Sequence, residues 1–132
     1  MSEFVTELEV TLISDDTNSG RGTWQLDKPL VYQSDLVAAL IVVPKGFQTD
    51  FASVPRVPIA YWLFGDTSHE ASVVHDFLYN THLYPRATAD AILKEASAVT
   101  GIPAWRRWGM YLGVRIGGAG PWDGEVRQTV TN

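Results

Sequence analysis

The chain has 132 residues, of which 45% are hydrophobic and 19% charged, so it can fill one core and is too apolar to be a disordered segment. A formal net charge of −5 disfavours a nucleic-acid backbone as the main partner, since that surface is bound by clustered Lys and Arg. Cysteine is absent, which excludes disulfides, thiolate metal sites and thiol nucleophiles.

Met1, Ser2 and Glu3 lead with acid where a secretory signal would carry positive charge, so no export signal is expected. Residues 4–13 alternate between apolar and polar and are rich in Val, Thr and Leu, which predicts a half-buried strand. The turn-forming run 14–22 predicts a hairpin into a second strand over 23–32. A third strand over 36–43 is nearly continuous in apolar residues and is therefore expected to be covered on both faces. Pro44 and Gly46 end it, and Pro55 and Pro58 within 47–58 predict an ordered Pro-rich loop. The aromatic run Tyr61-Trp62-Leu63-Phe64 reads as a core plug.

Thr67 and Glu70 have the spacing of a capping box, and Ala71, Val74, Phe77 and Leu78 follow at helical steps, predicting a helix over 67–80. A short turn leads to a second helix over 88–100, with Ala89, Ile92, Leu93, Ala96 and Val99 on one face and Gly101 at its end. So short a connection makes the two helices an antiparallel pair. A third helix is predicted over 104–116, with Gly109 and Gly113 one turn apart, and a Gly-rich tail over 117–132 should wrap the surface. The expected class is α+β: a small N-terminal antiparallel sheet, the Pro-rich loop, and three packed helices. The chain reads as a single domain over 1–132, with sheet and loop over 1–58 and helices over 59–116. The most apolar stretches, 36–44 and 109–116, are too short to span a bilayer, so no transmembrane segment is expected.

The residues that carry chemistry cluster in two motifs, Thr49-Asp50-Phe51-Ala52-Ser53-Val54-Pro55 and His75-Asp76-Phe77-Leu78-Tyr79. On a helix, His75 projects at the edge of the apolar stripe and Asp76 is turned about 100° further round, which predicts a half-buried imidazole beside a more exposed carboxylate. The imidazole suits a general base and the carboxylate a cation or a developing charge. Asp90 falls near the level of His75 in an antiparallel hairpin and could orient the ring. Equally, Arg86 and Lys94 on its own helix could pair with it. Asp50 and Ser53 either lock the loop through backbone amides or, for Asp50, reach a metal or substrate. No Gly-x-Ser-x-Gly elbow surrounds Ser53, which disfavours it as a nucleophile. His69 and His82 do not share a helical face with His75, so zinc is not expected. Trp105-Arg106-Arg107-Trp108 reads as a core-facing aromatic stripe with solvated arginines, the other reading being contact with an acidic lipid or strand.

The two motifs, together with Arg86 and Ala89-Asp90, resemble the signature of a phage and prophage family, domain of unknown function 1353, over roughly residues 23–116. That resemblance implies a phage origin and carries no established activity. His75 to Tyr79 followed by Ala89-Asp90 is also similar to the two catalytic helices of phospholipases A-two, closest to the disulfide-free form in a parvovirus minor capsid protein. This second resemblance, over about a quarter of the chain, implies that His75 activates water, that Asp76 binds calcium and that Asp90 supports the imidazole. The glycine-rich calcium loop of those enzymes has no counterpart before His75, so Asp50 or carbonyls of the 49–55 loop would have to replace it.

Three functions follow as expectations. The first is a phage-encoded hydrolase of ester or amide bonds in the bacterial envelope, with His75, Asp90 and Asp76 catalytic, Asp50, Ser53, Tyr79 and Arg86 at the substrate or loop, and Ca2+ held by Asp76 and Asp50. The second is a non-catalytic virion component, a tail or baseplate accessory protein whose partners are other virion proteins and whose polar cluster is structural. The third is a small binding protein that modulates the host. In each case the chain would be made in the host bacterial cytoplasm.

Overall fold

The computed structural model describes residues 2–14, 23–49, 69–117 and 119–123, and its architecture is α+β. Among the described residues six strands come first: β1 Glu3–Phe4, β2 Val10–Ser14, β3 Thr23–Leu26, β4 Leu30–Ser34, β5 Ala39–Val43 and β6 Gln48–Thr49. Among the described residues four helices follow: α1 His69–Thr81, α2 Arg86–Val99, α3 Ala104–Gly117 and the short α4 Ala119–Asp123. The strands form two three-stranded antiparallel sheets, in the orders β1-β4-β5 and β2-β3-β6. The Pro-rich segment, the aromatic run 61–64, Thr67 of the capping box and the tail beyond 123 lie outside the described residues.

Two of the expected long strands are each broken in two. The stretch 4–13 pairs with β4 through Phe4 opposite Tyr32, then leaves that sheet and enters the other at Val10 opposite Leu26. The crossing is held by a side chain: the Thr6 hydroxyl accepts the Val31 N–H at 2.9 Å and donates to the Pro29 carbonyl at 3.2 Å. Likewise 23–32 divides at Asp27-Lys28-Pro29, where Pro29 has no N–H for a ladder and the Asp27 N–H turns to the Glu9 carbonyl at 2.8 Å.

The apolar strand 36–43 also differs from expectation. Residues 35–38 form the turn between β4 and β5, with Ala38 at φ +52, and only Ala39–Val43 pairs with β4. Ile41 and Val43 are in the core, whereas Leu40 and Val42 are 59% and 48% exposed, so one face of β5 is open. An antiparallel sheet with helices on one side alternates in this way, and apolar identity on the outer face does not reveal it. The 47–58 loop begins with a strand: Gln48 and Thr49 pair with Gln25 and Trp24 of β3.

The helices cover the inner face of the sheets. Every residue of α1 from Ala71 to Asn80 is buried, and Phe77 meets Phe47 edge-on with ring centroids 5.5 Å apart. α1 ends at His82, whose φ of +53 is a left-handed turn. α2 starts two residues earlier than expected and buries Ala89, Ile92, Leu93 and Ala96, while Val99 is exposed. At its end the Gly101 N–H bonds to Ala98 and the Ile102 N–H to Ser97, with Gly101 at φ +89, a Schellman cap that glycine adopts without strain. α3 turns Met110 and Val114 inward. Its Trp105 and Trp108 are 59% and 53% exposed, and the Arg107 guanidinium bonds inward to the Ile102 carbonyl at 2.7 Å, which reverses the expected core-facing tryptophans and solvated arginines. The reason is helical phase: the Met110 and Val114 face packs on α2, which leaves the Trp side outward.

One carboxylate ties α2 to the β1-β4-β5 sheet. Glu95 of α2 accepts the Tyr32 hydroxyl at 2.7 Å, the Ser34 hydroxyl at 2.7 Å and the Leu36 N–H at 2.9 Å. Burial first, and then this hydrogen bond to Glu95, push the Tyr32 phenol well above its ordinary value, so it stays protonated and donates. Glu95→Ala is expected to lower the free energy of unfolding by about 3 kcal/mol, because buried hydroxyls on β4 lose their acceptor. Urea denaturation of that variant beside Glu3→Ala, at an exposed position, checks it; equal stability of the two would remove Glu95 as the link.

Candidate functional site: a buried His-Asp pair

The interior polar cluster is assembled from one face of each long helix. On α1, His75 and Tyr79 are one turn apart and point the same way; on α2, Arg86 and Asp90 are also one turn apart. The four-residue connection 82–85 folds α2 back along α1, so Tyr79 lies beside Arg86 and His75 beside Asp90. The His75 Nε2 is 2.8 Å from Asp90 Oδ1, and the Tyr79 hydroxyl donates to the same oxygen at 2.6 Å. From α3, Arg115 Nη1 donates to Asp90 Oδ2 at 2.9 Å. Arg86 stands 4.0 Å from that oxygen and 3.4 Å from the Tyr79 hydroxyl, while its other nitrogen donates to the Val114 and Arg115 carbonyls. It thereby closes the C-terminal carbonyls of α3 with a cation, which the helix dipole favours.

The proton positions follow from this geometry. Burial alone would raise the Asp90 carboxyl, but hydrogen bonds from His75 and Tyr79, the His75 charge and the Arg115 contact hold it below its ordinary value. Tyr79 is pushed far up, first by burial and then by its bond to Asp90, and so keeps its proton. An ionised carboxylate only accepts, so the His75 nitrogen facing it carries hydrogen, and in the neutral ring Nδ1 is then the basic nitrogen.

The site differs from the sequence expectation in exposure. His75 and Asp90 are each 0% exposed and Asp76 is 1% exposed, where a half-buried ring beside a more exposed carboxylate was expected. α3 and the sheets close over both flanks of the helix pair, a consequence of long-range packing that helical phase within α1 does not report. Asp76 faces away from Asp90, accepting the Thr49 hydroxyl of β6 at 2.6 Å, while its backbone carbonyl accepts the Asn80 amide at 2.8 Å. Lys94 does not pair with Asp90; its ammonium sits 3.7 Å above the Trp108 ring. The structure therefore brings His75, Tyr79, Arg86 and Asp90 together and sets Asp76 on a second, adjacent contact with β6. Asp50 and Ser53 lie outside the described residues.

Two participants were not legible as such. Arg115 reads in the sequence as an interruption of the apolar stretch 109–116; a cation there, on a helix without acid, was the available signal. Trp122 of α4 packs edge-on against Tyr79 at 5.3 Å and stacks on His82 at 3.7 Å, within a segment whose glycines predicted only a surface wrap. Among the described residues no group of three or more His, Asp or Glu side chains is arranged to hold a metal ion. No described helix is long and apolar enough to cross a membrane.

Asp90→Asn is expected to cost about 3 kcal/mol or more, since it leaves buried donors and Arg115 without their anion. The Asp90 pKa is depressed by folding, so its contribution is present above the unfolded value of about 4 and is lost as pH falls through the lower folded value. Wild-type stability should therefore fall below about pH 4 more steeply than that of Asp90→Asn. Parallel acid titrations of the two proteins would contradict the assignment.

Searches of curated proteins and of solved structures give no match to the chain. A family model does match, over residues 24–114, a span that runs from β3 into α3 and contains His75, Asp76, Tyr79, Arg86 and Asp90. The chain belongs to the family described as protein of unknown function (DUF1353).

Proposed function

We propose that the chain is a phage-encoded hydrolase of ester or amide bonds in the bacterial envelope, with His75 as general base and Asp90 as the group that orients it. The observation that carries this reading is the 2.8 Å contact between His75 Nε2 and the ionised Asp90 carboxylate. In the reaction, water attacks the carbonyl carbon while its proton passes to His75 Nδ1, and the imidazolium then returns that proton to the leaving oxygen or nitrogen. Asp90 stabilises the imidazolium, and Tyr79 and Arg115 fix the carboxylate in place. The similarity of His75 to Tyr79 and of Ala89-Asp90 to the catalytic helices of phospholipases A-two supports an acyl ester as substrate. Calcium enters only as a variable of the assay: the described residues bring one carboxylate, Asp76, already engaged by Thr49, whereas calcium takes six to eight oxygens.

Phospholipid vesicles incubated with the protein, with and without calcium, test the reading through fatty-acid release. His75→Asn is expected to lower the rate at least about 100-fold, the scale of a positioned general base. Asp76→Asn should abolish any calcium dependence. Absence of release in both conditions, or full activity in His75→Asn, would sink the phospholipase-like form of the proposal.

The complete burial of His75 and Asp90 favours a second reading, in which the chain is a non-catalytic virion component and the cluster only fastens three helices together. In this reading the protein is made in the host cytoplasm and assembled with other virion proteins, and it should be found in fixed copy number in purified particles. His75→Ala costs about 1 to 3 kcal/mol under both readings, because a buried carboxylate loses a donor either way. Activity, and not stability, separates them.

A further inference from the structure

The outward face of α3 carries Trp105, Trp108, Leu112 and Ile116, which are 59%, 53%, 52% and 83% exposed. At about 100° per residue these four side chains fall within a sector of about 80°, opposite the buried Met110 and Val114. The stripe is about 17 Å long at the rise of an α-helix. Isolated exposed apolar residues are ordinary; a continuous row containing two tryptophans marks an interaction surface.

Its borders are cationic. Lys94 lies over the Trp108 ring at 3.7 Å and 4.9 Å from the Tyr111 ring, and the Arg106 guanidinium is 5.3 Å from the Trp105 ring. α3 contains three arginines and no Asp or Glu, in a chain whose formal net charge is −5. Of these arginines, Arg107 turns inward to the Ile102 carbonyl and Arg115 to Asp90, so the cations that border the stripe are Arg106 and, from α2, Lys94. We propose that the outward face of α3 docks on an anionic lipid surface, with the four apolar side chains entering the acyl boundary and Lys94 and Arg106 at the headgroups.

Charge and shape select this occupant. A second copy packed stripe to stripe would oppose Lys94 and Arg106 with their own counterparts, and α3 offers no carboxylate to neutralise them. A nucleic-acid strand would suit the tryptophans as stacking platforms but not Leu112 and the 83% exposed Ile116. An amphipathic helix with tryptophans and aliphatics on one side and basic residues at the margins matches a membrane interface. The inference stands whether or not His75 acts on a substrate.

Co-sedimentation of the purified chain with vesicles tests it, comparing phosphatidylcholine alone with an equal mixture of phosphatidylcholine and phosphatidylglycerol. The wild type should sediment with the anionic vesicles, less with the neutral ones, and less again at high salt. Leu112→Glu and Ile116→Glu alter outward side chains, so both should fold as judged by circular dichroism, and each should bind at least about tenfold more weakly. Leu40→Glu, on the exposed face of β5, should bind as the wild type does, which separates this surface from exposed apolar side chains elsewhere on the protein. Wild-type protein that stays in solution at low salt would overturn the proposal, as would undiminished binding by the two α3 variants. So would a dimer in sedimentation velocity that Ile116→Glu dissociates while the wild type ignores vesicles, a result that would assign the stripe to a second copy.

Discussion

A buried carboxylate is the constraint around which the helical half is arranged. Asp90 has no exposed surface, and an ion removed from water to that degree persists only where its lone pairs are matched by donors. Here the donors come from two other helices: His75 and Tyr79 from α1 and Arg115 from α3. Apolar packing would hold three helices together in many relative rotations and shifts of register. The requirement that three particular polar atoms reach one carboxylate reduces these to one, so the polar cluster specifies the arrangement that the core stabilises.

α2 then acts as a spine with two anionic contacts in different directions. Asp90 faces α1 and α3, and Glu95, five residues on and about 140° round the helix, faces the hydroxyls and turn of the β4-β5 hairpin. Arg86 adds a third fastening by closing the last carbonyls of α3. Asp76 extends the network from α1 to β6 through Thr49. The His-Asp dipeptide thus sends neighbouring side chains to two different partners, the ring to a helix and the carboxylate to a strand. That division decides chemistry as well as packing, since the ring and Asp76 cannot serve one atom without rearrangement.

Much of the helical part was legible because its signals are local. The apolar spacing in 71–78 and 89–96, the short connection and Gly101 each act within a few residues, and the spacing of His75 and Asp90 along a hairpin follows from helix geometry. The sheet was less legible. Its breaks depend on Thr6 reaching the backbone 25 residues away and on Asp27 turning to Glu9, contacts that no periodicity contains. Burial of Asp90 depends on Arg115, again 25 residues distant, and without that partner the sequence left two readings open, orientation of His75 or pairing with Arg86 and Lys94 on its own helix. For Trp105 and Trp108, apolar identity suggested the core, whereas Met110 and Val114 already fill the inner face of α3 and leave the tryptophans outward.

Both functional readings need the same proton arrangement at the centre, with Asp90 ionised and the His75 hydrogen on the nitrogen that faces it. The tautomer of His75 is directly observable in the 15N spectrum of the ring through its long-range couplings to the ring protons. For the neutral ring, the account predicts hydrogen on Nε2 and none on Nδ1, with the preference lost in Asp90→Asn. A neutral ring carrying its hydrogen on Nδ1 would place a lone pair against the carboxylate and contradict the account at its centre.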